Sequence, residues 1–246
     1  MKPPKPSLLL GAVFTVILCG QPQTGASESA SENVLLTKLA QAQSLGTNNP
    51  QVTIALVNLA DFYRACGKLD EAEQYNRRAI ANNGDQFGAM APGTLAALFS
   101  LGATLQEENK FAEAELTLRN ALVVASRQPT SSNRGGQFRD INIFCNNVIA
   151  NPKMLQGTPE IAKAYDALAD LFVKEHRIQD AQRLYEQILE IYKRSFASTA
   201  ATSAPSNYPS KEQINIKQTM LKLAQVYDLL GSTEKAAAIR QGAADF

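Results

Sequence analysis

The sequence predicts an all-α chain in which antiparallel helix pairs stack side by side into a solenoid. Three observations carry this. A set of five residue marks recurs four times at identical offsets. Within each recurrence the apolar residues follow the helical period, and no apolar run alternates in the two-residue manner of a strand. Between recurrences stand glycine, asparagine and proline, the residues that end one helix and open the next.

The first element reads as an address. Lys2 and Lys5 precede an apolar run from Ser7 to Leu18, which is long enough for a signal-peptide core and short for a membrane span. Pro22 follows, and Thr24-Gly25-Ala26 supplies small residues for cleavage before Ser27. Residues 1–26 are therefore expected to be a signal peptide, and the mature chain to be periplasmic or secreted and to have no transmembrane domain. Two alternatives stay open: an uncleaved anchor, or lipidation at Cys19, although Leu18 stands where a lipobox wants a small residue. The whole chain has 24 Lys plus Arg against 23 Asp plus Glu, and without Lys2 and Lys5 the balance is 22 against 23. With no basic run, the chain lacks the electrostatic footprint of a nucleic-acid binder.

The repeat begins clearly at the second element. From Leu59 to Ala79 the marks are a small residue (Ala60), a bulky one (Tyr63), a turn former (Gly67), then Ala72 and Ala79. Gly102, Leu105, Asn109, Ala114 and Ala121 repeat them after 42 residues. Ala169, Phe172, His176, Ala181 and Ile188 form the third set, and Ala224, Tyr227, Gly231, Ala236 and Ala243 the fourth. Each offset has a packing reason. The stripe Leu56, Leu59, Ala60, Tyr63 makes one face of a helix apolar. The small residue admits a second helix at close range, the turn former takes the left-handed backbone at a helix end, and the later alanine opens the returning helix. A hairpin of this kind has no core of its own and must stack on its neighbours.

These residues resemble the tetratricopeptide repeat, and the 42-residue period is similar to its kinesin-light-chain-like branch. Leu45, Gly46, Pro50, Val52, Leu56 and Asn58 fit that branch's linker and first helix, and Gly88, Pro92, Leu98 and Leu101 fit it again. The resemblance spans about Glu32 to Phe246 and implies a right-handed TPR-like superhelix. Counting back from Gly46, the helix around Val34 to Ala42 reads as the second half of a degenerate first repeat. Residues 27–50 are thus linker and N-terminal capping helix, and 51–126 hold repeats 1 and 2. Repeat 3 falls at 158–194 and repeat 4, with the C-terminal cap, at 211–246.

Two stretches exceed the period. From Ala114 to Ala181 is 67 residues, so 127–157 is an insert. It opens as a polar loop and then carries Ile141, Phe144, Cys145 and Val148 at helical spacing behind Asp140, a sign of one short helix. That helix is expected to pack over the joint between the second and third hairpins, or to reach the groove. The stretch 195–210, rich in Ser, Ala, Thr and Pro, reads as a flexible linker. Removal of the leader leaves Cys66 and Cys145, which either pair in an oxidising compartment or stay as two thiols.

No catalytic set is legible. The single histidine, His176, occupies a turn site, and no HExxH, CxxC or GxxxxGK[ST] is present. No cofactor and no metal are expected. The acidic residues around Ala72 and Ala114 suit the positive end of a helix. The resemblance implies instead a concave groove lined by the first helix of each hairpin. By offset its residues are Val57, Asp61 and Arg64, then Phe99, Ala103 and Gln106, then Asp166, Asp170 and Val173, and last Leu221, Gln225 and Asp228. Asn58 matches an asparagine that in this branch contacts ligand backbone. A carboxylate-clamp ligand is disfavoured, because Val57, Asp61 and Ser100 stand where paired basic and amide residues are needed. The expected function is a scaffold that grips a protein or peptide partner. A self-associating structural subunit, a lipoprotein-type assembly factor of the envelope and an unrecognised enzyme are the rivals.

Overall fold

The computed structural model describes residues 25–46, 49–87, 92–126, 146, 158–200 and 210–244. Among these the structure is helical without strands. The helices are α1 (Gly25–Ser44), α2 (Pro50–Ala65), α3 (Leu69–Phe87), α4 (Pro92–Glu107), α5 (Phe111–Ser126), α6 (Pro159–Lys174), α7 (Ile178–Ala200), α8 (Lys211–Leu229) and α9 (Thr233–Ala244). The pairs α2/α3, α4/α5, α6/α7 and α8/α9 are the four hairpins, and α1 precedes them as a lone second helix.

Local chemistry sets the helix ends. Asn49 caps α2, its Oδ1 accepting from the Gln51 amide at 2.9 Å, with Pro50 at the first helical position. Thr158 and Pro159 open α6 in the same way, and Ser210 with Gln213 forms a reciprocal capping box on α8. The four hairpin turns share one geometry. Gly67, Asn109, His176 and Gly231 all have φ between 60° and 74°. The next amide in each case reaches back across the turn, Lys68 to the Tyr63 carbonyl (2.9 Å), Lys110 to Leu105 (2.9 Å), Arg177 to Phe172 (2.8 Å) and Ser232 to Tyr227 (2.8 Å). This closes the orphan carbonyls of the first helix. His176 is thus an exposed helix-end residue.

The small marks are small for steric reasons. Ala60, Ala169 and Ala224 are fully buried, and so are Ala72, Ala114, Ala181 and Ala236. At Gly102 even a methyl group would lie 2.6 Å from Leu118 Cδ2. Leucine in place of Ala72 or Ala114 is expected to cost about 1–3 kcal/mol by overpacking. The same change at Ala96, an exposed residue of α4, should be nearly silent in a thermal melt; equal shifts at all three sites would show the register to be wrong.

Each helix packs on the next in the chain, including α5 on α6, so the array runs on past the insert. The first helices also touch one another, α2 on α4 and α4 on α6, which puts them on the inner side of the curve. Of the insert, Asn146 is described; its Oδ1 accepts from Arg119 Nη1 at 2.7 Å, against α5. Ile141, Phe144, Cys145 and Val148 lie outside the described residues, as do Cys19 and all but the last two residues of the expected leader. The Cys66–Cys145 pairing therefore lies there too.

Two boundaries differ from the sequence reading. α1 starts at Gly25, well before Val34, because Glu28 pairs with Lys68 at 2.9 Å and Glu32 accepts from the Tyr63 hydroxyl at 2.5 Å, which ties its first turns to the first hairpin. α7 runs to Ala200, into the segment expected as linker, because Phe196 extends the stripe of Ile188 and Tyr192 and packs on the core.

Charged residues join the hairpins near their tips. Glu73 on α3 takes Lys110 at 2.7 Å and Arg77 at 2.6 Å. The Lys110 hydrogen bond, opposed by partial burial and seconded by Arg77, holds its carboxyl below the ordinary glutamate range. A lowered folded pKa stabilises above the unfolded value and loses that contribution as pH falls through it. The drop in Tm between pH 7 and pH 3 should therefore be smaller in Glu73→Gln than in the wild type.

Candidate interaction face

Of the expected groove residues, Asp61, Arg64, Gln106, Asp166 and Asp170 each make a polar contact to a neighbouring hairpin. Measured from the small mark of each first helix, the residue one place on faces the residue two places before the mark in the next hairpin. Asp61 so accepts from Ser100 Oγ at 2.7 Å, across α2 and α4. Asp170 so pairs with Lys222 Nζ at 2.8 Å, across α6 and α8. At the middle junction Ala103 and Ala167 occupy these places, and the polar link shifts one turn: Gln106 Nε2 donates to the Ala167 carbonyl at 3.4 Å. Arg64, beside Asp61 at 3.5 Å, reaches Glu107 at 2.8 Å.

The Lys222 cluster is the most tightly built part. Its ammonium lies 2.8 Å from both Asp166 and Asp170, and the Tyr185 hydroxyl donates to Asp170. Burial pushes the Asp166 carboxyl up, with the neighbouring Asp170 in the same direction and Lys222 opposing. Burial and Asp170 likewise push the Tyr185 phenol up. Burial works against the Lys222 ammonium, yet the two carboxylates outweigh it and its pKa rises. The cluster ties the third hairpin to the fourth.

The rest of the face is less committed. Val57 and Phe99 are half-buried, with Phe99 resting on the core, and Asn58, Gln225 and Asp228 are exposed. Leu221 leaves 43% of its surface in solvent. Arg240 pairs with Asp228. Sequence reading selected Asp166 and Asp170, weighed Ser100 only as a clamp position and passed over Lys222; Ser100 and Lys222 hold the seam from the other side. Both stand in the column two places before each small mark, Asn58, Ser100, Ala167 and Lys222. Among the described residues, no group of three His, Cys, Asp or Glu could hold a metal ion. None of the described helices is long and apolar enough to cross a membrane.

A stacked array of two-helix hairpins with a polar inner face defines a helical-repeat scaffold. The family model for the tetratricopeptide repeat matches residues 39–125, from the end of α1 through the second hairpin. Over these residues the chain is similar to tetratricopeptide-repeat proteins. Its structure is similar to that of BtubC (BKLC) from P. vanneervenii, with a TM-score of 0.65 at 19% identity over 90% of this chain and 73% of that one. It is also similar to a putative kinesin light chain with nearly identical TPR-like repeats from Podosopora anserina, with a TM-score of 0.57 at 18% identity over 94% of this chain and 92% of that one. In a comparison with curated proteins, none matches the chain.

Proposed function

We propose that this protein is an exported scaffold, without catalytic activity, that binds a peptide or a partner protein along the inner face of its first helices. The observation that carries the reading is the seam of Asp61–Ser100, Gln106–Ala167 and Asp170–Lys222. It fixes polar side chains before a ligand arrives, which lowers the ordering cost of binding. Asn58 and Leu221, exposed on the same side, supply a free amide and an apolar contact. Export rests on the order of charge, apolar run and small residues in the first 26 residues. The absence of a nucleophile–base signature in the sequence favours binding over catalysis.

Affinity capture with the full chain, tagged at its C-terminus and followed by mass spectrometry, tests the reading. A partner should co-purify with the wild type and with Arg78→Glu on exposed α3, and should be lost with Leu221→Arg. Recovery unchanged by Leu221→Arg would reject the inner face. The mass of the chain recovered from the envelope or medium should begin at Ser27; an intact N-terminus confined to the cytosol would reject export.

A further inference from the structure

α1 differs from the other second helices in what it leaves uncovered. Twelve and nineteen residues after the small mark, Ala72 and Ala79, Ala114 and Ala121, Ala181 and Ile188 are all fully buried inside their hairpins. The 42-residue period places Ala30 and Thr37 of α1 at those offsets, and both are exposed. At offset sixteen the contrast is sharpest. Asn76, Leu118 and Tyr185 are 0%, 0% and 2% exposed, whereas Val34 is 55% exposed. Yet α1 is firmly placed, with Leu39 and Ala42 buried in the core it shares with α2 and with Glu28 and Glu32 bonded to the first hairpin. Beside it α2 presents Ile54, 48% exposed, and the exposed Asn58. Asn58 stands where Ser100 and Lys222 receive an aspartate from the preceding first helix. The other end of the array is finished differently: offset sixteen there is Arg240, a charged residue paired with Asp228.

The complete hairpins that follow show what covers such a face, namely a helix. We propose that the slot between α1 and the edge of α2 docks one helix of a partner protein, which completes the first hairpin. The chemistry of that helix follows from α2, α4, α6 and α8. Bulky apolar residues stand at i, i+3 and i+7, as in Leu56, Leu59 and Tyr63, with a small residue at i+4. A hydrogen-bonding group at i+5, the place of Asp61 and Asp170, faces Asn58. The segment preceding α1 fits this pattern poorly. Counting back one period puts Leu18 at the small mark, Gln21 at the bulky one and Pro22 inside the helix span, where proline would break it. The proposal rests on the scaffold reading but uses the N-terminal end of the array in place of its inner face.

The probe is a fluorescein-labelled synthetic peptide of Asn49–Ala65, which carries the first-helix pattern, titrated into the full chain and read by anisotropy. Saturable binding is expected. It should weaken at least about tenfold in Val34→Glu, which would bury a charge in the docked state, and in Ala30→Leu, which would fill the slot. Both sites are exposed, and circular dichroism checks that each variant is folded. Leu221→Glu should leave binding unchanged. Absence of saturable binding, or equal binding to Val34→Glu and Ala30→Leu, would overturn the proposal. Loss with Leu221→Glu alone would overturn it while supporting the inner-face reading. Binding that appears only with Ile17→Asp would make the chain's own N-terminal segment the occupant, and a dimer abolished by Val34→Glu in sedimentation would make it a second copy; either result overturns a partner helix.

Discussion

Phe172→Ala is expected to cost about 3–5 kcal/mol, the largest effect of any single truncation considered for this fold. Phe172 is the bulky mark of the third hairpin and is fully buried, in a cluster with Leu168, Leu171, Leu184 and Ile188. Its ring centroid also lies 3.9 Å from the Arg177 guanidinium, a cation–π contact that adds on the order of 1 kcal/mol at a partly exposed site. The third hairpin sits between the insert and the last pair, so its loss removes the packing surface of α5 on one side and α8 on the other. Urea unfolding of the wild type and the variant would give the difference directly. A cost below about 1 kcal/mol would mean that the third hairpin is not packed as described.

Gly102→Leu comes next, at about 3 kcal/mol, the upper end of what overpacking costs. The Cβ alone would sit 2.6 Å from Leu118 Cδ2 and 2.9 Å from its Cγ, and the remaining carbons would enter the α4/α5 contact. Gly102→Ala is the informative companion. Alanine gains about 1 kcal/mol over glycine in a helix interior, and the clash falls on the end of one flexible side chain. The two effects oppose each other, so the alanine variant should melt within a few degrees of the wild type. If leucine and alanine prove equally tolerated, the two helices are not in contact at this position.

Much of this was legible because the repeat imposes the same packing problem four times. Ala60, Gly102, Ala169 and Ala224 recur where two helices touch, and Gly67, Asn109, His176 and Gly231 recur where a turn needs φ near +60° to +75°. Composition misled at the end of α7, since SFASTA looks like a linker until Phe196 is placed on the stripe of Ile188 and Tyr192. The start of α1 escaped notice because the bonds that secure it, Glu28 to Lys68 and Glu32 to Tyr63, join residues 40 and 31 apart. Lys222 was missed for a related reason. A lone lysine among Asn58, Ser100 and Ala167 shows no pattern of its own, and its role comes from the aspartates of the preceding hairpin.

The inner face is the central claim, and site-specific photocrosslinking in producing cells tests it most directly. A photoreactive phenylalanine analogue in place of Leu221 or Val57, on the first helices, should give a discrete crosslinked partner. The same analogue in place of Arg78, exposed on α3 at the outer side, should give none. Crosslinks to one protein from position 78, with none from 57 or 221, would contradict the account.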